Sequence, residues 1–180
     1  MKKLTVSRQV ATKIKQGQSL LEKQDFESLP ALDQAIQLLS GDGQYLGVGY
    51  LSEQNKGIGW FVSQELVAFD QDFFKKLFSK AKQYRRSYYA DETTTAFRLF
   101  NQEGDGFGGF TVDLYGEFVV FSWYNPFVFQ IKETILVAFQ EAFPEVRGGY
   151  EKIRFKGLDY ESAHVYGKEA PQEFLILENG

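Results

Sequence analysis

The stretch from Phe97 to Tyr124, FRLFNQEGDGFGGFTVDLYGEFVVFSWY, constrains this chain more than any other. It contains three apolar, strand-like runs. The first two are separated by a loop with glycines at 104, 106, 108 and 109, and the next two by the turn Tyr115-Gly116. Gly104, Gly106 and Gly109 have the GxGxxG spacing of a dinucleotide-binding turn. That turn works only when a helix follows it, because the helix N-terminus supplies the amides that hold phosphate. Here Phe110-Thr111-Val112-Asp113-Leu114 follows, an alternating run rich in residues that favour strands. The loop therefore reads as a bend between paired strands, with glycines where the backbone needs positive φ.

The remaining elements have local signals. Leu4-Thr5-Val6 suits a first strand, and Ala11 to Lys23 a short helical turn broken by Gly17. Phe26 to Pro30 reads as loop. Ala35–Leu39 and Tyr45–Leu51 flank Gly41-Asp42-Gly43, a strong hairpin signal, and Gly57 to Val62 is a further strand. Short strands with glycines at their bends predict a small β-barrel over 1–69. Asp70 is a candidate N-cap for a basic helix reaching about Tyr88, with Asp72 in its first turn. Its apolar face is Phe73, Phe74, Leu77, Phe78, Ala81, Tyr84 and Tyr88. Residues 70–90 are the connecting helix, and 91–180 form a second unit. There Asn125 caps a helix with Pro126 at its first position, and Pro144 bounds it. Tyr150 to Phe155 is a strand, 158–170 irregular, and Phe174 to Leu177 a last strand. The resulting fold class is α+β: the barrel, then a β-β-β-α-β-β domain. Asn179-Gly180 has the form of a hairpin turn, from which a longer parent chain is expected.

Charge is unevenly distributed. Residues 1–69 carry seven Lys/Arg against seven Asp/Glu, residues 70–90 six against two, and residues 91–180 seven against fifteen. A basic patch on an acidic protein can still bind a polyanion, since only local contacts count. Lys82, Arg85 and Arg86 on the connecting helix are candidate phosphate contacts; a solvated helix face is the alternative. The absence of cysteine excludes disulfides, thiolate metal sites and a cysteine nucleophile. His164, the sole histidine, reads as a loop residue, so no metal site is expected. Asp105 and Asp113 read as turn residues bonded to local backbone rather than acid–base catalysts. Phe107 is a loop aromatic that could stack on a base or anchor the loop. No apolar run is long enough to span a bilayer and the N-terminus has no signal-peptide core, which makes the cytoplasm the expected location.

Arg98-Leu99, Glu103-Gly104-Asp105-Gly106, Gly109, Val112-Asp113 and Tyr115-Gly116 together resemble the RLxxxEGDGxxGxxVDxYG segment of the bacterial large-subunit rRNA cytosine-5 methyltransferase family. The basic helix before it and the tail ending in Glu-Asn-Gly resemble that family's layout. The resemblance implies an N-terminal PUA domain and a central α+β domain. It places the S-adenosylmethionine loop and the catalytic cysteine in a third domain that this chain does not contain. No catalytic or cofactor-binding residue is therefore expected here, and S-adenosylmethionine is implied only for the parent. What is left to these residues is binding of RNA, ribosomal by resemblance. Lys15-Gln16-Gly17 keeps a Lys-Gly segment of the family, although few basic residues follow it; Lys13, Lys15 and Gly17 are the candidate RNA contacts there, and an ordinary exposed turn is the alternative. A structural or protein-interaction module of the same fold is the competing reading for the chain as a whole.

Overall fold

The computed structural model describes residues 1–29 and 31–172. Two five-stranded sheets share one body. The first contains β1 (Lys2–Val6), β2 (Leu20–Leu21), β3 (Gln34–Ser40), β4 (Tyr45–Gln54) and β5 (Gly57–Ser63), in the order β1-β3-β4-β5-β2. Only the β1–β3 pairing is parallel. That pairing needs a crossover, which α1 (Arg8–Lys15) begins. Ser7 caps α1 by accepting from the Val10 amide at 3.2 Å. Val10, Ala11 and Ile14 bury one face of α1 with Val6, Leu21, Ile36, Leu38 and Leu51. The helix starts three residues before the expected span and stops at Gln16. Gly17 then takes φ +100°, and Leu20-Leu21 pairs with Gly59-Trp60 as a strand where the sequence suggested a continuing helical turn. The Gly41-Asp42-Gly43 hairpin forms as read, with Gly43 at φ +85°.

Asp70 accepts from the Phe73 amide at 2.9 Å and starts α2 (Gln71–Tyr84). The expected single helix breaks at Arg85, and α3 (Arg86–Ala90) follows. Phe74, Phe78 and Ala81 are buried as the periodicity requires. Tyr84 and Tyr88 are not: they stand 63% and 51% exposed. The break rotates the register, so Tyr89 rather than Tyr88 stacks on Phe143.

The second sheet runs β10-β9-β8-β7-β6, with β6 (Ala96–Asn101), β7 (Phe110–Tyr115), β8 (Phe118–Trp123), β9 (Gly148–Ile153) and β10 (Ser162–Gly167). Strands β8 and β9 are parallel, joined through α4 (Pro126–Gln130) and α5 (Lys132–Ala142). Asn125 accepts from the Val128 amide at 3.1 Å and Pro126 sits in the first turn. Helices α2 and α5 cover one sheet face, where Phe78, Phe100, Phe110, Phe121 and Phe139 pack edge-to-face and stacked. Strand β10 lies inside 158–170, which the sequence left irregular. The strand read at Phe174–Leu177 and the Asn179-Gly180 turn lie outside the described residues. Among the described residues no helix is long and apolar enough to cross a membrane.

Candidate RNA-binding surface and the glycine loop

The glycine loop opens with a 3₁₀ turn at Gln102–Asp105, and β7 starts at Phe110 with no helix between. Two of its glycines, Gly108 and Gly109, serve packing against the first sheet. A Cβ on Gly108 would lie 2.1 Å from Cδ2 of the Trp60 indole, and one on Gly109 would lie 2.2 Å from the Tyr50 hydroxyl. Gly106 and Gly109 also hold φ of +105° and +112°, which favours glycine. The Tyr50 hydroxyl donates to the Gly108 carbonyl at 2.6 Å and accepts from Asn125 Nδ2 at 2.9 Å. Asn125 Nδ2 and Trp60 Nε1 both donate to Gln54 Oε1, at 2.9 and 3.0 Å. The Phe127 amide reaches Ser52 Oγ at 3.2 Å. This buried polar seam ties β4 and β5 of the first sheet to the loop and to the start of α4. Burial drives the Tyr50 phenol far above its ordinary pKa, so it stays a neutral donor. Phe107, considered as a base-stacking aromatic, is 1% exposed and stacks on Tyr50 at 5.3 Å. It anchors the loop and is out of reach of a nucleobase.

Both loop-region carboxylates are held by arginines. Asp105 takes the Arg85 guanidinium through two oxygens, at 2.9 and 2.7 Å, and also accepts from the Asn101 amide at 2.7 Å. Asp113 pairs across the ladder with Arg98 at 2.8 and 3.2 Å. Among the described residues no group of three His, Cys, Asp or Glu side chains is placed to hold a metal ion. His164 rests edge-on against Tyr150.

The six candidate RNA-binding residues fall on two elements. Lys13, Lys15 and Gly17 are exposed at the C-terminal end of α1. Lys15 Nζ donates to Gln44 Oε1 at 2.8 Å, beside a cleft of about 210 Å³ that Arg8, Thr12 and Gln44 help line. Asp42 also borders this cleft; bonds from the Ser40 hydroxyl and then the Gln44 amide hold its carboxyl below the usual range. Lys82, Arg85 and Arg86 lie where α2 meets α3. Lys82 pairs with Glu145 at 3.0 Å and donates to the Ala142 carbonyl at 3.1 Å. Arg85 turns inward: besides Asp105, its Nε donates to the Arg98 carbonyl at 2.7 Å and its Nη1 to the Ala81 carbonyl. Its side chain is only 16% exposed, which leaves no free fork for a phosphate. Arg86 is exposed and, among the described residues, bonds the Gln83 carbonyl and no carboxylate. Summing charge over 69 residues hides one signal. Residues 1–21 carry Lys2, Lys3, Arg8, Lys13 and Lys15 and no Asp or Glu. Lys2 and Lys3 lie exposed on the edge strand β1, which leads into α1.

The molecule is thus a PUA-like domain joined by a buried seam to an α+β sheet domain; residues 4–64 match the family model for the PUA-like domain. Over most or all of its length the chain is similar to proteins named as ribosomal RNA large subunit methyltransferases. YwbD of Bacillus subtilis is 34% identical over 188 residues, covering 100% of this chain and 48% of that protein. Ribosomal RNA large subunit methyltransferase I of Vibrio parahaemolyticus is 30% identical over 159 residues, 86% of this chain and 40% of that one. A solved Streptococcus mutans structure, described as a SAM-dependent methyltransferase, superposes with a TM-score of 0.94 at 49% identity. It covers 100% of this chain and 47% of that one. Another solved methyltransferase structure, in complex with SAH, also gives 0.94. The chain spans about half the length of the curated relatives it matches.

Proposed function

We propose that this chain is the RNA-binding and positioning portion of a cytoplasmic, S-adenosylmethionine-dependent methyltransferase acting on cytosine of large-subunit rRNA. The observation that carries the reading is the set of exposed cations on β1 and α1 (Lys2, Lys3, Arg8, Lys13 and Lys15) on a PUA-like fold, with Asp42 the one carboxylate bordering the α1 cleft. Methyl transfer is assigned to the part of such enzymes that this chain does not match. A cytosine-5 methyltransferase needs a thiolate to attack the base, and the chain has no cysteine. Its glycine loop does not fit the cofactor either, because Trp60, Tyr50 and Asn125 fill the space a phosphate or ribose would need. Lys13, Lys15 and the Gly17 turn form the binding surface together with Arg8, and Arg86 adds a separate cation. Lys82 and Arg85 act at one remove, by fixing the helix that carries Arg86.

The test is a titration of large-subunit rRNA fragments at two salt concentrations, read by fluorescence anisotropy. Lys13→Gln with Lys15→Gln should weaken binding on every sequence by a similar factor. It should also lower the salt slope by roughly 0.7 to 0.9 for each phosphate no longer neutralised. Calorimetry with S-adenosylmethionine should register no heat. Absence of RNA binding at low salt would favour instead a structural or protein-interaction module.

A further inference from the structure

The two most exposed tyrosines of the molecule flank the α2–α3 break, and they have no role in the core the sequence assigned them. Tyr84 ends α2 at 63% exposure, with Lys80 Nζ 5.7 Å from its ring centroid. Tyr88 lies on α3 at 51% exposure. Its ring is backed by Phe97 at 5.3 Å and a 34° tilt, so it is held in place with half its surface open to solvent. Around them, Lys80 and Arg86 are exposed and take no carboxylate partner among the described ion pairs. Asp91, the nearest carboxylate along α3, is turned to the hydroxyls of Thr93 and Thr94. The break between the two rings is itself fixed: Arg85 at its centre is clamped to Asp105 and to the Arg98 carbonyl.

We infer that Tyr84 and Tyr88 form a stacking ledge for unpaired RNA bases, with Lys80 and Arg86 holding the phosphates between them. Aromatic rings with open faces beside cations suit a single strand, whose bases are free to leave their own stack; in a duplex those faces are covered. The ledge deepens the RNA-binding reading and rests on it. It adds a surface separate from α1 and specifies single-stranded substrate.

A labelled oligouridylate and an RNA duplex are titrated by anisotropy against the chain and its variants. Tyr84→Ala and Tyr88→Ala should each weaken single-strand binding roughly 5- to 160-fold with the salt slope unchanged. Duplex binding should move far less. Tyr84→Phe and Tyr88→Phe keep the ring face and should bind as the parent does. Lys80→Gln and Arg86→Gln should each lower the salt slope by roughly 0.7. Tyr84→Ala should leave the melting curve unaltered, and Tyr88→Ala, which gives up the Phe97 contact, should lower the midpoint by only a few degrees, so melting curves serve as the folding control. Alanine variants that bind the single strand like the parent overturn the ledge, as do phenylalanine variants that lose as much as alanine. Equal losses on duplex and single strand overturn it too. If only the Lys13 and Lys15 variants lose affinity, the ledge fails while the RNA-binding reading stands. If the parent binds neither RNA at low salt, both fail.

Discussion

Gly108→Ala isolates what the glycine loop does. The added Cβ would meet Cδ2, Cε2 and Cε3 of Trp60 at 2.1, 2.5 and 2.6 Å. Gly108 does not hold positive φ, so the penalty is steric and not conformational. The indole cannot slide away freely: Trp60 is 7% exposed and its Nε1 is bonded to Gln54. Overpacking costs about 1–3 kcal/mol, and breaking the indole bond about 1 more. The expected loss is therefore about 2–4 kcal/mol. For a chain of this length each kcal/mol lowers the midpoint by about 2–4 °C, giving a drop of about 4–16 °C in a thermal melt. Gly104→Ala is the control. Its nearest neighbour would be Asn101 Nδ2 at 4.0 Å, so the change should stay within about 0.5 kcal/mol. Yet Gly104 is the first glycine of the GxGxxG spacing, the one a phosphate-binding turn needs for its tight bend. In a Trp60→Leu background, Gly108→Ala should cost much less than it does alone, a coupling of about 0.5–3 kcal/mol. Equal melting points for Gly108→Ala and the parent, or equal losses at 104 and 108, would refute the packing account.

Asp105→Ala should destabilise by about 3–5 kcal/mol, because it leaves the Arg85 guanidinium buried without its partner. Arg85→Met with Asp105→Leu should recover much of that in chemical denaturation, since removing both charges removes the desolvation cost. The tyrosines supply a pH test. Burial first, then the bond to Glu151, pushes the Tyr160 phenol up to about 12. Burial likewise raises Tyr50, Tyr89 and Tyr166. A raised phenol pKa means that the folded state holds the proton more tightly. The contribution is therefore complete below the ordinary value of 10.0 and lost as pH climbs from there through about 12. Ultraviolet titration should show a late class of phenolates appearing together with alkaline unfolding, and Tyr160→Phe should shrink that class.

The elements readable in the sequence are those whose cause is local. Asp70, Asn125-Pro126 and the Gly41-Asp42-Gly43 hairpin each act within four residues, and each is where the pattern puts it. The loop at 103–109 is readable as a bend because the alternation at Phe110 begins at once. What the pattern misses depends on distant partners. Arg85, at the break between α2 and α3, turns inward for Asp105, twenty residues away, while Tyr84 and Tyr88 on either side of it stand in solvent. Phe107 is buried because Tyr50, on another sheet, offers it a ring. Leu20-Leu21 is too short a strand to carry a period, and β10 reads Ser-Ala-His-Val-Tyr-Gly, which has no clean alternation. The charged surface is legible in principle. A window of twenty residues isolates the acid-free N-terminus, whereas the domain-length sum cancels it against Glu22 to Glu65.

A net charge of −4, taken alone, sets this chain against RNA, but the ion pairs show why the total is the wrong quantity. Among the described residues Lys75, Lys82, Arg85, Arg98, Lys132 and Arg147 are each matched to a carboxylate, and every one of those carboxylates lies between 105 and 151. The acidic half of the chain thus neutralises cations of its own sheet and of α2. Among these pairs it takes none from β1 and α1. At physiological salt, fields fade over about 8 Å, so a phosphate arriving at α1 would respond to Arg8, Lys13, Lys15 and the neighbouring Asp42 rather than to the excess acid of the second domain. If the chain binds RNA as proposed, that excess would favour approach of the polyanion along the PUA-like face and the α2–α3 end. Under the proposed RNA-binding reading, the seam through Tyr50, Gln54, Trp60 and Asn125 would hold the two basic surfaces at a fixed separation. A strand that engages one is presented to the other at high effective concentration when its length spans the gap. Loosening the seam should therefore weaken RNA binding more than the loss of any single lysine, without touching a residue that meets the RNA.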